Sequence, residues 1–137
     1  MINRILPLAF AFCSISFFSF SQNQKFDLKA SMARGQEVYE AQCMSCHMEQ
    51  GEGIPDVYPP LAKSDYLMAD RGRSIKNVLH GLSGEIIVNG KSYSMDMAPF
   101  THLSDQEVSD VLNYIRNAWG NKDKNPVTPD EVNALRK

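Results

Sequence analysis

Cys43-Met44-Ser45-Cys46-His47 places two thiols three positions apart, with an imidazole directly after the second. Within one helical turn this spacing presents both sulfurs to the two vinyl edges of a porphyrin, where they become thioethers. His47, one step on, then lies under the iron as its proximal ligand. The pattern is the attachment signature of a c-type haem, so the expected cofactor is one haem c, covalent through Cys43 and Cys46. Two other chemistries use closely spaced cysteines. A zinc centre takes about four ligands, and the chain has no second cysteine pair: its third cysteine, Cys13, stands alone. A redox dithiol does not require the histidine and belongs near a βαβ pattern, which this chain lacks.

Two thiols and a ring must be held by a small scaffold. The chain has 137 residues and a formal charge of −2, from 14 Lys and Arg against 16 Asp and Glu. The basic residues are scattered singly, which leaves no electrostatic footprint for nucleic acid. At the N-terminus, Arg4 precedes an apolar, phenylalanine-rich run from Ile5 to Phe20, and Ser19-Phe20-Ser21 offers small residues for cleavage. This reads as a cleavable signal peptide over 1–21, since the run is shorter than the roughly 20 apolar residues of a spanning helix. Phe12 precedes Cys13 where a lipoprotein signal needs a small residue, so Cys13 is expected to leave with the signal. The expected organisation is then an N-terminal extension over 22–30, a haem domain over 31–120 and a C-terminal extension over 121–137 carrying a short helix.

The positioning elements are mostly helical. Ser31 to Met44 reads as a first helix with Ser31 as its N-cap, and Gly35 with Tyr39 forms a small-then-aromatic step on one face. Gly51 to Ala62 is a loop punctuated by Gly51, Gly53, Pro55, Pro59 and Pro60, long enough to wrap the proximal side of a haem. Short helices are expected at Ser64 to Asp70 and at Ser74 to His80, the second ending at Gly81. Ile86-Ile87-Val88 and Lys91-Ser92-Tyr93 flank an Asn-Gly turn and read as a small hairpin. Ser104 and Glu107 make a capping box ahead of an apolar stripe at Val108, Val111, Leu112, Ile115, Ala118 and Trp119, with Gly120 as the stop. Thr128-Pro129-Asp130-Glu131 opens a last short helix with Pro at its first position. The expected fold class is all-α: a small helical domain wrapped around one covalent haem, with a minor hairpin.

The order of these parts (helix, haem motif, Pro59-Pro60-Leu61 loop, a methionine–proline segment, terminal helix) resembles a class I, mitochondrial-type cytochrome c domain. It is similar in particular to bacterial single-haem domains of respiratory oxidases, nitrite reductases and dehydrogenases. The resemblance runs from about Ser31 to Gly120. It implies that the first and last helices cross, with Gly35 and Tyr39 meeting Val111 and Tyr114. It also implies that a loop proline carbonyl accepts the proximal histidine's ring N–H; Pro59 or Pro60 matches, and Pro60 is assigned to the site. The family's sixth ligand is a methionine sulfur in a Met-Pro-x-Phe segment. Here Met97-Ala98-Pro99-Phe100 moves the proline one place, and Met97 keeps the register to the Ser104 helix start. Met95, two residues earlier, is its competitor, and His80 and His102 are further alternatives.

Met44, Met48 and Met68 read as packing residues, and Tyr58, Tyr66, Tyr93 and Trp119 as either haem-lining or ordinary core aromatics. The resemblance implies one-electron transfer with His47 and Met97 on the iron and no catalysis by the chain itself. The implied partners are redox proteins: a respiratory oxidase, reductase or dehydrogenase, with peripheral membrane association through such a complex. The implied location is the periplasm. The alternative is a haem enzyme or a gas- or peroxide-binding sensor whose sixth ligand is weak or displaceable.

Overall fold

The computed structural model describes residues 26–137, so the signal-peptide expectation over 1–21 and Cys13 lie outside the described residues. The elements in chain order are α1 (Leu28–Gln42), α2 (Met44–His47), α3 (Asp65–Ala69), α4 (Arg71–His80), β1 (Ile86–Val88), β2 (Lys91–Tyr93), α5 (Asp105–Ile115) and α6 (Pro129–Leu135). β1 and β2 pair antiparallel as Ile86↔Tyr93 and Val88↔Lys91 across the Asn89-Gly90 turn. Both turn residues have positive φ, the geometry that a two-residue hairpin turn with right-handed twist demands. No described helix is long and apolar enough to cross a membrane.

Several helix starts follow their caps. Ser64 accepts from the Leu67 N–H and Asp70 from the Arg73 N–H, opening α3 and α4. Ser104 with Glu107, and Thr128 with Glu131, each form a complete capping box, at α5 and α6. Because Asp70 caps α4, that helix starts at Arg71 rather than at Ser74. The first helix also begins earlier than expected: Asp27 is its N-cap, accepting from the Ala30 N–H. Ser31 is an interior, fully buried residue whose hydroxyl donates to Asp110, so a partner 79 residues away takes the group that a cap would have used. α5 stops as α-helix at Ile115, with Arg116 as C-cap, and not at Gly120. Arg116 is buried there; it donates to the Leu67 carbonyl and pairs with Asp123 at 2.9 Å.

α5 is the centre of the packing. Its apolar face brings Val108, Val111, Leu112 and Ile115 to a core shared with Tyr39 of α1 and with Ile75 and Leu79 of α4. Ser109, Asp110 and Asn113 on its other sides are buried as well, so the helix is covered on more than its apolar stripe, and each of these polar groups has partners. Arg34 donates to Asp110 at 2.7 Å from α1. Asn113 exchanges both hydrogen bonds with the Val127 backbone, receiving its N–H at 2.7 Å and donating to its C=O at 2.9 Å. Ser109 donates to the same carbonyl. With Val127 and Val132 fully buried, the segment after residue 120 belongs to the core.

The most extensive contact between elements is α1 against α5. They approach so closely at Gly35 that a β-carbon there would lie 1.9 Å from the Asp110 carbonyl oxygen and 2.9 Å from Tyr114 Cβ. The expected crossing is present, with Asp110 and Tyr114 as the groups against Gly35, and with the Tyr39 and Tyr114 rings 5.6 Å apart.

Candidate haem site

The end of α1 and the single turn of α2 form one continuous scaffold for the thiols and the ring. The Cys43 N–H donates to the Tyr39 carbonyl at 2.8 Å, and the Cys46 and His47 N–H groups both donate to the Cys43 carbonyl, at 3.2 and 3.0 Å. Tyr39 ties this turn down from below: its hydroxyl donates to the Met48 carbonyl at 2.6 Å. The tight turn brings Cys43, Cys46 and His47 to the wall of one cavity of about 330 Å³. Cys43 and His47 also line an adjoining cavity of about 90 Å³ that reaches between Leu67, Val78, Val111 and Leu112. The hairpin closes one side of this slot through Ile86, Val88 and Tyr93.

His47 is held by the loop. Its Nδ1 lies 3.1 Å from the Pro59 carbonyl oxygen. A carbonyl only accepts, so Nδ1 carries the proton and Nε2 is left as the free base. Burial lowers the ring's pKa, and the bond to Pro59 opposes this without reversing it, so the imidazole is neutral, as a metal ligand must be. The acceptor is therefore Pro59 and not the assigned Pro60, which lines the inner cavity. Gly53 packs closely behind this carbonyl: a β-carbon there would lie 2.8 Å from the Pro59 carbonyl group.

Burial, with a smaller effect from Cys46, pushes the Cys43 thiol up to about 12. A nucleophilic or metal-binding thiolate needs the opposite shift. Cys43 and Cys46 are free thiols, and among the described residues no group of three or more His, Cys, Asp or Glu is placed to hold a metal ion. A neutral imidazole and two free thiols on one turn, at the mouth of an apolar slot, suit a porphyrin joined by thioether bonds and ligated by His47.

Across the slot, Met97 lines both cavities. Its backbone is pinned in both directions to Leu82: the Met97 N–H donates to the Leu82 carbonyl at 2.8 Å, and the Leu82 N–H donates back at 2.9 Å. Met95 lines only the wider cavity and is 52% exposed. His80 and His102 line neither cavity. His80 Nε2–H donates to the Leu135 carbonyl at 3.1 Å, and the exposed His102 ring lies tilted at 53° to Phe100, with centroids 6.0 Å apart. Tyr58, Tyr66 and Tyr93 line the slot, whereas Trp119 packs against Tyr39 and Tyr114, with ring centroids 4.9 and 5.3 Å away. Leu82, which holds Met97, has no local signal in the sequence; its pairing spans 15 residues.

The chain matches known proteins over most of its length. The sequence profile of the family described as Cytochrome c matches residues 32–119. Cytochrome c-552 of Thermus thermophilus is 41% identical over 117 residues, covering 80% of this chain and 78% of that protein. The cytochrome c subunit of the quinone alcohol dehydrogenase of Gluconobacter oxydans is 37% identical over 105 residues, 74% of this chain but 22% of that longer protein. The gluconate 2-dehydrogenase cytochrome c subunit of Pantoea cypripedii is 36% identical over 108 residues, 75% of this chain and 24% of its own length.

Proposed function

This chain belongs to the cytochrome c family of electron carriers, and from that premise we propose that it passes single electrons through one haem c ligated by His47 and Met97. Cys43 and Cys46 are its covalent attachment points. When bound, the haem supplies a one-electron couple at its iron.

The observation that carries the ligand assignment is the placement of Met97. It faces the same slot as His47, on a backbone held to Leu82 by two hydrogen bonds, while its competitor Met95 is half in solvent. A thioether ligand raises the potential relative to a second imidazole. His47 works against that in part, because donation to the Pro59 carbonyl makes its Nε2 a stronger base. Leu67, Val78, Val111 and Leu112 give the inner slot an apolar lining, which limits the reorganisation that a change of charge requires. Among the described residues, Asp96 is the one carboxylate that lines the two cavities.

Electrons are exchanged with redox protein partners. Two relatives are by name cytochrome c subunits of dehydrogenases, which supports a place for this chain beside a respiratory dehydrogenase, reductase or oxidase; the apolar run from Ile5 to Phe20, read as a cleavable signal, supports a periplasmic location. The deciding measurement is the visible spectrum of the oxidised, haem-loaded protein. A low-spin spectrum with the far-red sulfur-to-iron band is expected, lost in Met97→Ala and kept in Met95→Ala. The reverse pattern would move the ligand to Met95. A high-spin wild-type spectrum would instead favour the open, ligand-binding alternative.

A further inference from the structure

The stretch from Gly81 to His102 carries Met97 between two fixed ends. At its start stands His80, the last residue of α4; at its finish stand the buried Leu103 and the helix start at Ser104. Inside it, Met97 pairs with Leu82, and the Phe100 N–H donates to the Val78 carbonyl at 2.9 Å. Both ends are also gripped from outside by one short element, the last turn of α6. His80 donates to the Leu135 carbonyl at 3.1 Å. Arg136 donates to the Leu103 carbonyl at 2.8 Å and to Asp105 at 2.6 Å, and Asn133 donates to the other Asp105 oxygen at 2.8 Å. The far end of α6 is anchored elsewhere, by Arg71 on Glu131 at 2.7 Å and on the Asn125 carbonyl. No residue of α6 lines the haem slot.

We infer that the C-terminal helix, through Arg136, is the latch that holds the Met97 loop shut over the haem. Arg136 is a positioning residue: it touches neither the slot nor Met97, and it fixes the point where the loop re-enters the core. Opening the loop to expose the sixth position has to part Met97 from Leu82 and let the two ends move relative to each other. A guanidinium bonded to both Leu103 and Asp105 resists that movement with charge-assisted hydrogen bonds. Local opening of this kind sets how fast an outside ligand can replace an internal one. This inference rests on the assignment of Met97 to the iron.

The test uses the ferric, haem-loaded full chain and imidazole as the competing ligand. Arg136→Ala is expected to keep the sulfur-to-iron band at rest, to take up imidazole about three- to tenfold faster at saturating ligand, and to exchange its Met97 amide proton faster in step. Arg71→Ala, which weakens the opposite end of α6, serves as the control for lost stability and is expected to leave both rates near wild type at comparable denaturant sensitivity. Arg136→Lys, keeping one cation for Asp105 or Leu103, is expected to fall between, and it is read the same way if Arg136→Ala fails to hold haem. Equal acceleration in Arg71→Ala and Arg136→Ala would make α6 a general stabiliser and overturn the latch, as would wild-type rates in both. A wild-type spectrum without the sulfur band would instead remove the Met97 assignment on which the latch rests.

Discussion

Gly35 and Asp110 are in contact with no room for a side chain between them: a β-carbon on Gly35 would lie 1.9 Å from the Asp110 carbonyl oxygen. That approach lets Ser31 and Arg34, on the same face of α1, reach the Asp110 carboxylate. It also sets Tyr39 between Tyr114 and Trp119, below the turn that carries the thiols. The helix crossing and the haem turn are thus one rigid unit.

Gly35→Ala therefore forces α1 away from α5. Overpacking of a tight backbone contact costs about 3 kcal/mol, and urea unfolding of the haem-loaded protein should show a loss of that size. A loss under about 0.5 kcal/mol, the scale of ordinary surface changes, would mean that the helices can separate without harm.

Gly53 has φ of +66°, and a β-carbon there would lie 2.3 Å from the Tyr58 carbonyl oxygen and 2.8 Å from the Pro59 carbonyl group. Gly53→Ala should displace the Pro59 carbonyl from His47, leaving a less basic imidazole on the iron and a higher midpoint potential. Potentiometric titration checks the direction, and the proton resonance of His47 Nδ1 checks the cause. An unchanged potential with a displaced proton resonance would show that this bond does not tune the iron.

Asn113 serves the Val127 N–H and C=O and the Ser31 hydroxyl with one side chain. Asn113→Ala leaves the buried Val127 N–H without a partner and opens a void beside it, at a cost of about 3 kcal/mol. Amide exchange at Val127 should quicken with the loss of stability, since among the described residues that N–H has no other acceptor.

Hydrogen bonds from Asn133 and then Arg136 hold the Asp105 carboxyl below its ordinary value of 3.8. A folded pKa below the unfolded one contributes stability that is present above the unfolded value and lost as pH falls through the folded value. Asp105→Asn should therefore be less stable than wild type at neutral pH, with the gap narrowing below about pH 4. Urea midpoints across pH 2 to 7 measure it. A gap that stays constant with pH would assign the effect to shape and not to charge.

What could be read along the chain was whatever the chain completes within a few residues. The haem turn, the capping boxes at Ser104 and Thr128, the Asn89-Gly90 hairpin and the Gly81 cap each need partners no more than about seven positions away, and each stands where it was expected. The errors share one cause. Ser31 has the right chemistry for a cap but is claimed by Asp110, and Asp27 does the capping in its place. Pro59 and Pro60 have the same carbonyl, and only the folded loop shows that the first is the one within reach of His47 Nδ1.

By itself the sequence determined the chemistry: two thiols and an imidazole on one turn commit the protein to a covalent haem, whatever surrounds it. Which methionine lines both cavities beside His47, which carbonyl accepts from that ring, and that the end of α6 with its capping Arg136 grips both ends of the Met97 loop were decided only by tertiary structure. The physical reason is range. A turn or a cap is an equilibrium among neighbouring residues and is written in their order. A contact between Arg136 and Leu103, or between Met97 and Leu82, exists only once the core around α5 has brought distant segments together.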